Sequence, residues 1–254
     1  MNIAVLGSGN GGCAVAFDFS AHGHQVRLFD FEQFPECIKA VQVNGGIYCE
    51  GVLDGFQPMA YAGHEIEKVM DGADIIFAVG PAYSTRPFAE ACKPYLQPGQ
   101  VVIVNPSSCA GSIEFKNGAG LDLRDEDIVV SETSTLPYAV RLLAPGRIKI
   151  FNKLTGGLLL AAIPAKKTDY VLERVGDVYP AMSAARNVLQ TSLQNGNPVI
   201  HPAITLLNVG LIERTRGDFE FYHQGVTPAV GRLVEAVDLS LIHISEPTRP
   251  RRQS

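Results

Sequence analysis

The sequence of 254 residues predicts an α/β fold, in which an N-terminal domain with a parallel β-sheet is followed by a mainly α-helical C-terminal domain. Three observations lead to this prediction. Short apolar runs alternate with helical patterns over the first two thirds of the chain. A glycine-rich turn separates the first apolar run from a helix. After Lys167 the pattern becomes helical, and we place the boundary near Pro180, between domains 1–180 and 181–238.

The first elements form a strand, a turn and a helix. Ile3–Leu6 is an apolar run typical of a strand inside a parallel sheet. Glycine occupies four of the six positions of the turn that follows, which reads Gly7, Ser8, Gly9, Asn10, Gly11 and Gly12. A helix of small and apolar residues over 13–22 ends at Gly23, and a second strand, Gln25–Phe29, leads to Asp30.

This order of strand, glycine turn, helix, strand and acid is the fingerprint of a Rossmann-type dinucleotide-binding unit. Gly7 permits the tight turn, and Gly9 lets the backbone approach a pyrophosphate. Gly12 lets the helix lie close to the strand, so that the N-terminal amides and dipole of the helix face the phosphates. We therefore predict that all six residues of the turn bind the cofactor.

Asp30 predicts which dinucleotide is bound. An ionised carboxylate accepts hydrogen bonds from a ribose 2′-hydroxyl and repels a 2′-phosphate, and 31–34 contain no Arg or Lys. We therefore expect NAD(H) rather than NADP(H). Two alternatives stay open, a flavin dinucleotide in the same fingerprint and a solvated Asp30 without a binding role.

The alternating pattern continues along the domain. We predict helices over 34–43, 65–70 and 88–96, a small hairpin within 48–59, and strands over 73–79, 101–104, 128–130, 148–150 and 157–163. Gly80 and Pro81 directly follow the strand over 73–79. The loop after that strand passes the nicotinamide side of the cofactor in this architecture, so both residues are further candidates for cofactor binding.

Charge and composition exclude several classes of protein. With 21 Lys and Arg against 26 Asp and Glu, the net charge of −5 gives no general attraction to nucleic acid or to anionic membranes. No apolar run approaches the roughly 18 residues of a membrane span. Met1 is followed at once by a core strand, which leaves no room for a signal peptide. The five cysteines lack metal-binding spacing, so we expect reduced thiols, no metal site and a cytoplasmic protein.

The C-terminal domain is predicted to begin with a helix over 181–193, followed by a second helix over 199–214. Apolar residues at helical spacing form one stripe on the second helix: Ile200, Ile204, Leu207 and Leu211. A polar stripe runs beside it: Asn197, His201, Thr205 and Asn208. Polar groups on an apolar helix need partners or water, so this stripe is a candidate lining for a cleft. A structural role for His201 is the alternative.

Three segments resemble the octopine/nopaline (opine) dehydrogenase family. They are Asn197–Pro202, Thr135–Arg141, which we place in a loop, and Gly225–Val230, which precedes a helix. The resemblance implies an NAD(P)-dependent oxidoreductase that condenses a 2-oxo acid reductively with the amino group of an amino acid. It also implies that His201 is the catalytic acid and base and that Asn197 orients the substrate. The partners expected are these small molecules, and a homodimer is among the assemblies left open.

The end of the chain has a different character. Leu239–Arg249 resembles the translation of a sequencing-library adapter, so we expect residues 239–254 to be a non-native tail and the helical domain to be incomplete. In the family that the chain resembles, a carboxylate from later in the helical domain orients the histidine. A histidine without that partner loses control of its tautomer. We therefore expect this chain itself to be inactive or unstable.

Other interpretations remain beside this one. One is the NAD-dependent reduction of a 2-oxo acid or a phosphorylated ketone without an amine, and another is a non-catalytic NAD(H)-binding module. Arg86 and Arg141 are candidate carboxylate clamps or ordinary surface ion pairs. Cys13 lies at a helix N-terminus, which can lower a thiol pKa, but we interpret it as a small residue packed under the turn.

Overall fold

The computed structural model describes the backbone of residues 1–245 and the side chains of residues 1–240. The strands in this part of the chain are β1 (Asn2–Leu6), β2 (Gln25–Phe29), β3 (Gly46–Gly51), β4 (Gly55–Pro58), β5 (Tyr61–Gly63), β6 (Ile75–Ala78), β7 (Val101–Val104), β8 (Val129–Thr133), β9 (Tyr138–Ala144), β10 (Arg147–Lys153), β11 (Leu158–Ile163) and β12 (Met182–Ala184).

The α-helices of the same part are α1 (Asn10–Ala21), α2 (Pro35–Asn44), α3 (Ile66–Met70), α4 (Thr85–Cys92), α5 (Gly111–Ala119), α6 (Thr168–Val175), α7 (Val188–Leu193), α8 (Asn197–Leu207), α9 (Val209–Arg214) and α10 (Pro228–Ser245). The chain divides into two compact units, the first ending at Ser192 and the second beginning at Leu193. None of the described helices combines the length and the apolar character of a membrane span.

The first unit is built on an eight-stranded sheet with the order β12-β11-β8-β7-β6-β1-β2-β5. The strands from β8 to β5 are parallel, whereas β11 runs antiparallel to β8 and parallel to β12. The chain leaves β1 toward β2 on one side and later returns to β6 on the other. The strand order thus reverses beside β1, which is where open α/β sheets bind ligands. The parallel sheet predicted from the sequence is confirmed.

Both faces of this sheet are covered, as the uninterrupted apolar strands predict. Val5 points to one face and packs in a cluster with Phe17 and Phe19 of α1. Leu6 points to the other face and packs in a second cluster with Phe115 of α5. Because successive side chains of a strand point to opposite faces of the sheet, consecutive residues of β1 pack in the two different cores.

A second sheet, with the order β4-β3-β10-β9, packs against α1. Its β3–β4 hairpin confirms the one predicted within 48–59. Asp18 of α1 ties this sheet to the helix, since its carboxylate lies 2.6 Å from the hydroxyl of Tyr138 and 2.7 Å from Nζ of Lys153. Asp18 is fully buried, and burial raises the pKa of Tyr138 well above its usual value. The buried acid was not expected in a helix predicted to consist of small and apolar residues.

The loop predicted over Thr135–Arg141 is confirmed only for its first three residues, 135–137. Residues from Tyr138 onward form β9, which pairs antiparallel with β10. The two strands are joined at Pro145 and Gly146, and Gly146 has a φ of +71°, which glycine adopts without strain. A Pro-Gly pair between two apolar runs is a hairpin signal, and we overlooked it.

The boundary between the two units also differs from the prediction. Instead of one helix over 181–193, the chain forms β12, which pairs with β11 in the large sheet, and then the short α7. The first unit consequently extends past Pro180 to Ser192. Backbone pairing with the sheet is the physical reason, since a segment of three residues can join a sheet edge without any sequence pattern of its own.

A buried glutamate holds α7 in the first unit. Glu132, at the end of β8, is fully buried and accepts hydrogen bonds from the backbone N–H and the hydroxyl of Ser112, at 3.0 and 2.6 Å. Its other oxygen accepts from the hydroxyls of Thr191 and Ser192, at 2.6 and 3.0 Å. One carboxylate thus joins α5, β8 and α7.

The second unit consists of α8, α9 and α10 with their connecting loops. The helix predicted over 199–214 is interrupted at Asn208, which ends α8 and precedes α9. In the predicted apolar stripe Ile204 is fully buried, whereas Leu207 is 54% exposed. The segment 239–245 continues α10, and residues 246–254 of the expected non-native tail lie outside the described residues.

We expect Glu132→Ala to lower the free energy of unfolding by about 3 kcal/mol or more, because it leaves buried donors without an acceptor. Glu132→Gln should cause a smaller loss, since its amide oxygen still accepts. Urea unfolding of the purified variants measures both values.

The matched control is Glu126→Ala, which removes a surface pair with Lys166 and should change stability by less than about 1 kcal/mol. Equal losses in the Glu132→Ala and Glu126→Ala variants would contradict the role assigned to the buried carboxylate.

Candidate functional site

The glycine turn between β1 and α1 has almost no free space on its inner side. Gly7 has a φ of +105°, and a Cβ there would lie 2.1 Å from the carbonyl oxygen of Val79. A Cβ on Gly12 would lie 1.7 Å from the carbonyl oxygen of Gly7. Both positions therefore require glycine, one for the turn and the other for the close approach of α1 to β1.

Gly9 has the opposite environment. A Cβ built on it meets no atom within 4 Å, and its φ of −75° is one that any residue adopts. The fold therefore does not need a glycine at this position. Open space beside the backbone at the tip of the turn is what the approach of a diphosphate requires.

The helix beyond this turn presents its first amides toward the same opening. The first hydrogen bond of α1 runs from the N–H of Cys13 to the oxygen of Gly9, at 3.0 Å. The N–H groups of Asn10, Gly11 and Gly12 precede that bond and lack an intrahelical acceptor, as in the first turn of any helix. Together with the helix dipole they are suited to an anion.

The two polar side chains of the turn are engaged within the protein. Both the N–H and the hydroxyl of Ser8 donate to Oδ2 of Asp30, each at 2.7 Å. Oδ1 of Asn10 accepts from the N–H of Leu142 in β9, at 2.6 Å. The turn would therefore hold a ligand through its backbone, and its side chains fix the shape of the turn.

Asp30 is only 6% exposed, which excludes the alternative of a solvated strand-end residue. Besides Ser8, its carboxylate accepts from the N–H of Phe31 at 2.9 Å. A carboxylate offers about four lone-pair positions, so Asp30 retains capacity for a further donor such as a hydroxyl. Its backbone oxygen is bound by Nδ1 of His64 at 2.7 Å, which fixes the strand end.

Asp30 and the turn border a common cavity of about 210 Å³, which we call the Asp30 cavity. Its lining residues are Gly7, Gly9, Asp30, Phe31, Phe34, Val79, Gly80, Pro81, Tyr83, Ser84 and Phe88. The structure thus brings Gly80 and Pro81 together with the turn. The rings of Phe31 and Phe88 stack at 5.5 Å, an apolar wall that the sequence analysis did not anticipate. A polar edge with open glycine backbone and an aromatic wall fit a dinucleotide.

His201 belongs to the second unit and lies on α8. Its Nε2 is 2.9 Å from the hydroxyl of Tyr222, and the ring of Phe221 contacts it edge-on with ring centroids 5.6 Å apart. Asn197 lies four residues earlier on the same face of the helix. Tyr222 was not among the residues expected from the sequence.

The polar stripe of α8 has partners within the second unit. The side-chain amide of Asn208 donates to the carbonyl oxygens of Ile204 and Gly225, at 2.8 and 3.0 Å. A Cβ on Gly225 would lie 2.6 Å from the side chain of Ile204, so the loop before α10 needs glycine to pack there. Thr227 accepts from the N–H of Val230 at 3.3 Å and caps that helix. The hydrogen bonds of Asn208 join α8 to the loop before α10, so we assign this residue a structural role.

The two arginines that are candidates for binding a substrate carboxylate both contact other groups of the protein. Nε of Arg86 lies 2.6 Å from Glu114, an ion pair at the surface, and Arg141 donates to the carbonyl of Val140 at 2.8 Å. Within the described residues, no group of three or more His, Cys, Asp or Glu is arranged to hold a metal ion.

Two family models match different parts of the chain. Residues 2–107 match the NAD-dependent glycerol-3-phosphate dehydrogenase N-terminus. Residues 184–249 match the NAD/NADP octopine/nopaline dehydrogenase, alpha-helical domain. The first match covers the glycine turn and the Asp30 cavity, and the second covers Asn197, His201 and Tyr222.

Among solved structures, octopine dehydrogenase in complex with NADH and agmatine is 19% identical to the chain, with a TM-score of 0.76, and the match covers 95% of this chain and 62% of that one. Octopine dehydrogenase with NADH and pyruvate is 20% identical, with a TM-score of 0.70, over 82% of this chain and 56% of that one. These likenesses support the fold, and the chain spans less than two thirds of the length of either protein.

A curated relative gives the stronger sequence match. The chain is 36% identical over 249 residues to an opine dehydrogenase of Arthrobacter sp. (strain 1C), and the match covers 96% of this chain and 67% of the relative. The chain therefore belongs to the opine dehydrogenase family of NAD(P)-dependent oxidoreductases.

Proposed function

We propose that the protein supplies the cofactor-binding and acid–base parts of an NAD(H)-dependent opine dehydrogenase. The reaction is the reductive condensation of a 2-oxo acid with the amino group of an amino acid, giving a secondary amine and water. The observation that supports this most is the position of Asn197 and His201 one turn apart on α8, inside the segment similar to the helical domain of octopine and nopaline dehydrogenases.

The glycine turn and the Asp30 cavity are the proposed cofactor site. The amides of Asn10, Gly11 and Gly12 would bind the diphosphate, and Asp30 would accept from a ribose hydroxyl. Gly80 and Pro81 would border the nucleotide on the side of β6. When bound, NADH supplies the hydride, and the protein contributes binding and orientation.

His201 is the proposed general acid and base. Reduction of a carbonyl or imine carbon needs a proton on the adjacent oxygen or nitrogen, and histidine is the usual carrier near neutral pH. The hydrogen bond between the hydroxyl of Tyr222 and Nε2 would orient the ring. Asn197, on the same face, would orient the substrate by hydrogen bonding.

The family and its solved members support a proposal for the substrate class. Octopine dehydrogenase has been solved with pyruvate, a 2-oxo acid, and with L-arginine, an amino acid. We infer the same two classes of small molecule for this protein, a 2-oxo acid and an amino acid.

We expect oxidation of NADH to require both a 2-oxo acid and an amino acid and to fall by about 100-fold or more in His201→Ala, since general acid–base catalysis contributes that much. Absorbance at the NADH band, with pools of each substrate added separately and together, measures this. Because the chain spans 67% of the Arthrobacter relative, the assay includes a fusion carrying the remaining part of that relative after Asp238.

His223→Ala is the matched control, because this exposed histidine lies one residue from Tyr222 and has no proposed role. Oxidation with a 2-oxo acid alone would point instead to a hydroxy-acid dehydrogenase. NADH binding without oxidation in either form would favour a non-catalytic binding module.

We expect Gly9→Ala to fold normally and to weaken NADH binding about tenfold or more, because its Cβ fills only the open space at the turn. Gly12→Ala should instead lower the free energy of unfolding by more than about 3 kcal/mol, since its Cβ meets the oxygen of Gly7. Thermal unfolding and NADH fluorescence titration separate the two effects. Unchanged NADH affinity in Gly9→Ala would contradict the proposed diphosphate site.

We expect the 254-residue chain to bind NADH at least about tenfold more tightly than NADPH, because Asp30 repels a 2′-phosphate. Asp30→Asn should reduce this ratio, while its amide oxygen still accepts from Ser8. The control is Glu32→Gln, which removes a charge from an exposed neighbour outside the Asp30 cavity. Equal affinity of the unchanged chain for both cofactors would contradict the role of Asp30.

A further inference from the structure

Two cysteines lie side by side directly beneath the glycine turn. Cys13 follows Gly12 in the first turns of α1, and Cys37 lies in the first turn of α2. Their sulfur atoms are 3.4 Å apart. Cys13 is fully buried and Cys37 is 8% exposed. Because the two cysteines are 24 residues apart in the sequence, their contact could not be predicted from the spacing.

The pair is close enough for a covalent bond. A disulfide requires about 2.0 Å between the sulfurs, so the 3.4 Å separation has to shrink by about 1.4 Å. Side-chain rotation supplies part of this movement, and approach of the first turns of α1 and α2 supplies the rest. Because α1 is held against β1 at Gly12, such an approach acts directly on the turn.

The two thiols differ in reactivity. The hydrogen bond from Cys13 lowers the pKa of Cys37 to about 7, with help from the backbone of Gly146 and the side chain of Ser8, while burial and the charge of Asp30 oppose this. The same hydrogen bond and burial raise the pKa of Cys13 well above its usual value. Cys37 is thus the thiolate that reacts first, and Cys13 is the protonated partner beside it.

The remaining cysteines are not arranged in this way. Burial raises the pKa of Cys49 to about 11 and that of Cys92 to about 12, and Cys109 is exposed. Cys92 lies near the sulfur of Met70, at 3.7 Å. These three serve as internal references for the reactivity of the pair.

We propose that Cys13 and Cys37 form an oxidation site, at which hydrogen peroxide or another hydroperoxide creates a disulfide that weakens cofactor binding. This inference rests on the proposed cofactor site. The link is the contact of Sγ of Cys13 with the carbonyl oxygen of Ser8, at 3.1 Å. Cys13 has one thiol proton, which it can donate either to this carbonyl or to the sulfur of Cys37. Oxidation removes that proton, so the buried carbonyl of the turn can no longer accept from Cys13.

The reaction balances with one peroxide per pair. The Cys37 thiolate attacks one peroxide oxygen, the O–O bond breaks, and hydroxide leaves as Cys37 becomes a sulfenic acid. The sulfur of Cys13 then attacks the sulfenic sulfur. The S–S bond forms, the S–O bond breaks, and the oxygen leaves as water with the proton of Cys13. The two sulfurs are oxidised, and both peroxide oxygens are reduced to water.

The test uses the 254-residue chain carrying Cys109→Ser, which removes the exposed thiol. After treatment with hydrogen peroxide we expect the loss of two thiols, a peptide that joins Cys13 to Cys37 in mass spectrometry, and a rise of at least threefold in the Kd for NADH. Dithiothreitol should restore the original Kd. Cys37→Ser and, should it fold poorly, Cys37→Ala should abolish these changes, whereas Cys92→Ser should keep them.

Two outcomes would overturn the inference. One is the absence of the joined peptide at peroxide concentrations that oxidise Cys109 in the unsubstituted chain. The other is formation of the disulfide with an unchanged Kd for NADH. If the reduced chain is folded by circular dichroism but fails to bind NADH, the proposed cofactor site is wrong, and so is the claimed effect on binding. The peptide map still decides whether the oxidation site exists.

Discussion

The contact on which most of the first unit depends is the approach of α1 to the end of β1, where Gly12 lies against the carbonyl oxygen of Gly7. This contact sets the position of the whole helix. From that position the first amides of α1 face the opening of the turn, and Asp18, two turns further on, reaches Tyr138 and Lys153 of the small sheet. One close backbone contact therefore positions the proposed diphosphate site and fixes where the second sheet packs.

The pair of Ser8 and Asp30 shows how a proposed binding group can also have a structural role. Two hydrogen bonds from Ser8 hold the carboxylate at the end of β2 against the turn. Their geometry holds the carboxyl group in place at the edge of the Asp30 cavity. A ligand that binds there meets a group already oriented, so little side-chain entropy is lost on binding.

The sequence predicted those elements of the fold that depend on residues close together along the chain. The glycines of the turn, the alternation of strands and helices and the helix stop at Gly23 follow from backbone sterics and side-chain period, and they were read correctly. Long-range contacts were not predictable in this way. The buried Asp18 and Glu132 have partners about 120 and 60 residues away, and β12 joins the sheet through backbone pairing. The partner of His201, Tyr222, likewise lies 21 residues further on.

The proposed cofactor site draws all its residues from 7–88. The proposed acid–base residue His201 and the proposed substrate-orienting residue Asn197 lie in the other unit. The two proposed tasks therefore depend on separate sets of residues. Substitutions that alter the amine or the oxo acid can accumulate on α8 and the loops around it without touching the nucleotide contacts. Such an arrangement lets one ancestral nucleotide domain be inherited by enzymes with different chemistry. The sequence matches fit this division, since residues 2–107 are similar to the N-terminus of NAD-dependent glycerol-3-phosphate dehydrogenase and residues 184–249 to the helical domain of octopine and nopaline dehydrogenases.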